Sequence, residues 1–171
     1  MWANYESPFG KLTLTATNRG FDGLYFPGRA VSLREGDRCP EWFAHAIGQL
    51  DQYFAGTRRH FDLALDLADG TQFQQDIWRQ LERIPYGQTI SYGELADRIG
   101  RPDRIRAVGA AVGRNPLPII IPCHRVIAAD GGLTGYGGGL HRKQALLDTE
   151  FAVRHGDGST IEFRVRQLSL L

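Results

Sequence analysis

Ser91-Tyr92-Gly93-Glu94-Leu95-Ala96-Asp97-Arg98-Ile99-Gly100-Arg101-Pro102-Asp103-Arg104, continued by Ile105-Arg106-Ala107-Val108-Gly109-Ala110-Ala111-Val112-Gly113-Arg114, is the stretch on which the fold turns. Ser91 has the chemistry of a helix N-cap. Glu94, three residues on, completes a capping box, so a short helix is expected over 92–99. Gly100 closes that helix, Arg101-Pro102-Asp103 makes the turn, and residues 104–114 read as a second helix. A short helix, a tight turn and a second helix carrying arginines form a helix-turn-helix pattern. The second helix is built on small residues, Ala107, Gly109, Ala110, Ala111 and Gly113. Low bulk lets its backbone approach another surface closely, either a neighbouring helix or a DNA groove.

Upstream, Phe73, Ile77, Leu81 and Ile84 recur at helical intervals from about Thr71, and Pro85-Tyr86-Gly87 ends that helix. Residues 1–70 read as a small α+β unit. Residues 11–17 alternate as in a half-buried strand, Asn18-Arg19-Gly20 turns, and 21–26 form a hairpin partner. Residues 27–40 are loop-like, and 41–54 place Phe43, Ile47, Leu50 and Phe54 at helical spacing before Gly56. Residues 61–67 alternate again and read as a strand. No cluster of reactive side chains occurs in this part, which reads as scaffold. The boundaries are therefore 1–70 for a structural domain and 71–171 for the part that carries the chemistry.

The chain has 171 residues with ordinary apolar and charged fractions, which excludes disordered and collagen-like classes. Residues 1–6 lack a basic stretch followed by an apolar one, so no signal peptide is expected. The run Ile119-Ile120-Ile121 is far too short to span a bilayer. Two distant cysteines, Cys39 and Cys123, argue against a disulfide scaffold and for a reducing cytoplasm. Net charge is +1, yet Arg98, Arg101, Arg104, Arg106 and Arg114 crowd one segment against the single acid Asp103. A locally basic face on a neutral protein can grip phosphates with marked salt sensitivity. Cys39, His45, His60 and His155 show no metal-ligand spacing, and neither a metal nor a cofactor is expected.

The chemistry centres on residues 115–127, Asn115-Pro116-Leu117-Pro118-Ile119-Ile120-Ile121-Pro122-Cys123-His124-Arg125-Val126-Ile127. Three prolines and an apolar run hold one cysteine rigidly before a histidine. A thiol is a poor nucleophile until ionised, and adjacent bases or cations favour the thiolate. Chain neighbours seldom bond side chain to side chain, so Cys123 and His124 are expected to act through a water. Glu150, at the end of the last convincing helix, is placed to orient His124 as the acid of a triad does.

Residues 122–126 resemble the active-site signature of the O6-alkylguanine-DNA alkyltransferases. The resemblance extends over roughly 71–151, through Ile84-Pro85-Tyr86-Gly87, Ser91-Tyr92, Arg106-Ala107-Val108-Gly109, Asn115-Pro116 and Gly135-Tyr136-Gly137-Gly138-Gly139-Leu140. It implies an α+β fold, in which a small N-terminal α/β domain of RNase H-like type packs on a mostly helical C-terminal domain with the helix-turn-helix. It implies a single-turnover enzyme that moves the alkyl group from O6-alkylguanine, and from O4-alkylthymine, in double-stranded DNA to Cys123. By the same resemblance His124 and Glu150 ease thiolate formation, Asn115 braces the turn, and Arg106 fills the gap left by the flipped base. Tyr92 rotates the phosphate and protonates guanine N3. Ala107, Gly109, Ala110, Arg114 and Arg125 complete the DNA-contacting set, in the minor groove. Val126, Tyr136, Gly137 and Gly138 wall the base pocket, with the Cys123 and Val126 carbonyls reading the exocyclic amine. A monomer is expected.

Gly137 stands where some family members carry serine, which widens the pocket and predicts tolerance of bulkier groups such as benzyl. The tail 154–171 extends past the resemblance, with 161–166 alternating like a strand. Three rival readings remain: a lesion-binding protein without alkyl transfer, a helix-turn-helix regulator and a Cys-His hydrolase. The first lacks a reactive cysteine, the second needs larger base-reading side chains, and the third turns over.

Overall fold

In the computed structural model the chain divides into two compact units, one of residues 1–69 with 116–120, the other of residues 70–115 with 121–171. The structure describes residues 1–151 and the backbone of 152–155 and 164–165. Of the tail strand expected over 161–166, residues 161–163 and 166 lie outside the described residues.

The first unit is an antiparallel sheet in the order β1 (Trp2–Ser7), β2 (Gly10–Ala16), β3 (Phe21–Tyr25), with one helix, α1 (Pro40–Phe54). The alternation in β2 buries Leu12, Leu14 and Ala16 on one face, as its pattern requires. β1 escaped the sequence reading because Trp2 and Ala3 are both buried, which breaks the two-residue period. In α1 the buried stripe is Phe43, Ala46, Leu50 and Tyr53, while Ile47 and Phe54 are only half-buried. The helix is thus rotated from the expected face, towards Ala46 and Tyr53. Gln49 is buried without penalty, since its side chain exchanges two hydrogen bonds with the Asp62 backbone at 2.9 and 2.8 Å.

Residues 61–67 do not form the expected strand. They meet β3 at a single parallel bridge, Phe21 to Leu65, held by Phe21 N to Ala64 O at 2.9 Å and Asp66 N to Phe21 O at 2.7 Å. Gly20 permits this approach: at its φ of +149°, a Cβ would sit 2.4 Å from the Ala64 carbonyl oxygen. Residues 116–120, read from sequence with the second part, group with this unit, where Leu24 N donates to Pro116 O at 2.8 Å. Within that segment Ile119 sits at φ +77°, where a β-branched residue is strained.

The second unit is mostly helical. Thr71 caps α2 (Gln72–Glu82) in a full capping box with Gln74, and α2 buries Ile77, Trp78 and Leu81. β4 (Ile90–Ser91) leads straight into α3 (Tyr92–Arg98), whose Ser91–Glu94 capping box is present as the sequence requires. Gly100, at φ +66°, ends the helix in a left-handed turn, with Arg101 N reaching back to Ala96 O at 2.9 Å. The chain then enters α4 (Ile105–Gly113), and Trp78 Nε1 donates to Ala111 O at 2.9 Å, fixing α2 against α4. β5 (Val126–Ile127) pairs in parallel with β4, and β6 (Gly132–Leu133) with β7 (Arg164–Val165). The last helix among the described residues is α5 (Leu140–His155).

Candidate active site

Cys123, His124 and Arg125 form one buried 3-10 turn entered through Pro122. Cys123 N donates to Ile121 O at 2.8 Å, and Arg125 N to Pro122 O at 3.0 Å. Asn115 Nδ2 donates to Ile121 O at 2.8 Å, and the same side chain hydrogen-bonds the Cys123 thiol. The β4–β5 pairing sets Ser91 beside Ile127, so the start of the helix-turn-helix and the cysteine turn are tied by one short ladder. That ladder brings Tyr92 to the site.

Burial pushes the Cys123 thiol up. Opposing it, the Asn115 side chain, the positive charge of Lys143 and the amides of Cys123 and His124 all favour the thiolate. Burial pulls His124 down more strongly than Glu150 raises it, so the imidazole rests neutral. Its Nε2 lies 2.8 Å from Glu150 Oε1, which fixes that nitrogen as the N–H donor. Nδ1 is therefore the basic nitrogen. It is buried with no hydrogen-bond partner among the described residues.

Glu150 is the hub. Oε1 accepts from His124 and from Arg125 Nη2 at 2.8 Å, while Oε2 accepts from Arg125 Nε at 2.8 Å and Gly87 N at 3.0 Å. Burial alone would raise its carboxyl, but His124 and Arg125 hold it well below the usual carboxylate range. Gly87 reaches Oε2 from a turn at φ +66°, a conformation that favours glycine.

Lys143 lies on α5, fully buried, and sequence reading passed over it. Its Nζ donates to Val126 O at 2.6 Å and Thr134 O at 2.9 Å and sits 6.0 Å from the Tyr92 ring centroid. Burial lowers its pKa to about 8, against the pull of Cys123. The Tyr92 hydroxyl donates to the same Thr134 carbonyl at 3.3 Å, so one backbone oxygen gathers both side chains. The Val126 and Cys123 carbonyls, expected to read an amine, each already accept one hydrogen bond, from Lys143 and from Val126 N. Each oxygen retains a second lone pair. Tyr136 is half-buried, Gly137 is exposed with open space where a Cβ would stand, and Gly138 O accepts from Arg142 at 2.6 Å.

On α4 the sides divide cleanly. Val108, Ala111 and Val112 are buried, whereas Arg106, Ala107 and Ala110 are exposed, with Arg114 just beyond. Gly109 lies against Tyr92, where a Cβ would touch the ring at 3.8 Å. Arg125 requires a correction. It is buried and spends its guanidinium on Glu150 and on Ile84 O at 2.6 Å, so it is no phosphate ligand. Its partner lies 25 positions away, and nothing near it in sequence announces the pair. Among the described residues no group of three or more His, Cys, Asp or Glu is placed to hold a metal.

Comparison with known proteins places this geometry. The family model for the 6-O-methylguanine DNA methyltransferase ribonuclease-like domain matches residues 1–67, and that for its DNA binding domain matches 72–152. The methylated-DNA–protein-cysteine methyltransferase of Mycobacterium bovis is 52% identical over 151 residues, spanning 85% of this chain and 88% of that protein. Its counterpart from Mycolicibacterium paratuberculosis is 50% identical over 164 residues, spanning 92% and 95%. A crystal structure of Mycobacterium tuberculosis OGT in complex with DNA superposes with a TM-score of 0.82 at 48% identity, covering 89% of this chain and 93% of that one. The class is thus a ribonuclease-like domain joined to a DNA binding domain of methyltransferase type. The chain belongs to the 6-O-methylguanine DNA methyltransferase family.

Proposed function

We propose that this protein repairs DNA by moving the alkyl group of O6-alkylguanine, and of O4-alkylthymine, onto Cys123 Sγ, once per molecule. The observation that carries the reading is the buried Cys123 turn, with its thiol bonded by Asn115 and a neutral His124 held at 2.8 Å by ionised Glu150. Sγ attacks the alkyl carbon; the S–C bond forms as the C–O6 bond breaks, and the electron pair passes to the guanine. The thiol proton goes through a water to His124 Nδ1, and the imidazolium is stabilised by Glu150. Tyr92 protonates the leaving base at N3 and is reprotonated from solvent.

In-line attack needs sulfur opposite the departing oxygen, which a stacked base does not offer. The base must be flipped out, at a cost of a few kcal/mol. Arg106, exposed on a helix face of alanines, fills the gap from the minor groove. Ala107, Gly109, Ala110 and Arg114 line the contact, and Val126, Tyr136, Gly137 and Gly138 wall the base. Residues 1–70 serve as scaffold and 71–171 as the DNA-binding and alkyl-acceptor part, in a monomer working in the reducing cytoplasm. No helix among the described residues is long and apolar enough to cross a membrane. The product is a thioether with no resolving thiol, so the protein is consumed. Intact mass spectrometry after incubation with O6-methylguanine DNA tests this. One added methylene on a Cys123 peptide is the expected result, and turnover or no adduct overturns it.

A further inference from the structure

A groove of about 620 Å³ runs between α2 and the turn joining α3 to α4. Its rim carries Arg79 and Arg83 from the α2 side and Arg101 and Arg104 from the turn, over a floor that includes half-buried Phe73 and Ile99. Only one acid, Asp76, lines it; that carboxylate is shared between Arg79 at 3.6 Å and Gln72 at 2.8 Å. The guanidiniums of Arg83, Arg101 and Arg104 make no ion pair among the described residues. Three unneutralised cations converging on one concave surface repel one another, and a bound polyanion relieves that repulsion.

Arg101 and Arg104 stand on the turn that leads directly into α4, the helix carrying Arg106. The groove thus joins the turn before α4 to the end of α2. We infer that the groove carries the DNA backbone outside the flipped nucleotide, with Arg83 as a phosphate ligand contributed by α2. The inference rests on the alkyltransferase reading, since DNA must be the partner. It adds an element outside the helix-turn-helix to the footprint.

Counterion release makes the test quantitative. Each phosphate contact contributes about −0.9 to the slope of log K against log salt concentration. Arg83→Ala is expected to make the slope for a long lesion-bearing duplex shallower by about 0.9, and Arg83→Glu to weaken binding further at low salt. For a duplex trimmed on the side that would reach the groove, wild type and variant should show equal slopes. Thermal melts check the fold, and exposed Arg83 is expected to leave them unmoved. An unchanged slope on the long duplex overturns the inference, as does an equal loss on the trimmed one. Wild-type protein that fails to take up methyl from methylated DNA defeats the underlying reading instead.

Discussion

Arg125 meets Glu150 side-on, Nε to Oε2 and Nη2 to Oε1, both at 2.8 Å and both groups buried. The same carboxylate holds His124 at 2.8 Å, so the ion pair fixes the position and tautomer of the imidazole. Two parallel N–H donors specify arginine, because a lysine offers a point charge rather than a fork.

Breaking that pair from either side leaves a charge buried without its partner, which costs about 3–5 kcal/mol. Glu150→Gln is expected to lower the melting temperature by roughly 10 °C, at about 2–4 °C per kcal/mol for a chain of this size. It should also slow alkyl transfer, because a neutral amide stabilises an imidazolium poorly. Arg125→Lys should destabilise less and retain part of the activity. Calorimetry with single-turnover kinetics checks both, and an undisturbed melt in Glu150→Gln would contradict the assigned pairing.

The same pair fixes a sign for acid stability. The Glu150 carboxyl lies below its unfolded value of 4.5 when folded, so the unfolded chain binds more protons across that interval. Its contribution is fully present above the unfolded value and is lost as pH falls through it toward the folded one. Urea midpoints should therefore decline from about pH 5 downward. In an Arg125→Met, Glu150→Leu double variant that decline should be shallower.

Reactivity should also rise with pH. Burial keeps the Cys123 thiol protonated, and Lys143 is one of the groups that ease its ionisation. Alkylation by free benzylguanine is expected to rise steeply between about pH 6 and pH 8. As pH passes about 8 the Lys143 charge is lost, and the rise should become shallower. Lys143→Met should lower the neutral-pH rate by about tenfold for each pKa unit the thiol gains. A wild-type plateau below neutrality, or an identical profile for the variant, would count against this.

The helix-turn-helix was legible because its determinants are local: a capping box, a left-handed glycine and a run of small residues act within a few positions. Cys123, His124 and Asn115 were legible for the same reason, being compressed into a proline-bounded stretch. Lys143, Gly87 and the true role of Arg125 were not. A buried lysine on α5 is indistinguishable in sequence from a solvated one, and its two carbonyl acceptors come from distant segments. Residues 61–67 carried the period of a strand, yet pair with β3 at one point only, since pairing is decided by the partner edge.

The proposed role of Arg106 separates DNA handling from chemistry. Its side chain is exposed on α4. Arg106→Ala should slow repair of a duplex substrate far more than alkylation by free benzylguanine. Losing one filler of an unstacked site costs about 1–3 kcal/mol, or roughly fivefold to 150-fold in rate. Equal losses on both substrates would remove the finger role.

Gly137 is proposed to set the width of the base pocket. A Cβ there meets nothing within 4 Å, and its backbone is not in the left-handed region, so Gly137→Ser is sterically free. On the proposed base-pocket wall the added hydroxyl would be offered to O6, where one hydrogen bond contributes about 0.5–1.5 kcal/mol. Methyl transfer should therefore quicken by a few-fold, while the narrower wall slows benzyl transfer, lowering the benzyl-to-methyl rate ratio. Competition between benzylguanine and methylated DNA, read as the two Cys123 adduct masses, measures that ratio directly. A ratio unchanged by the serine would place the O6 contact elsewhere than at residue 137.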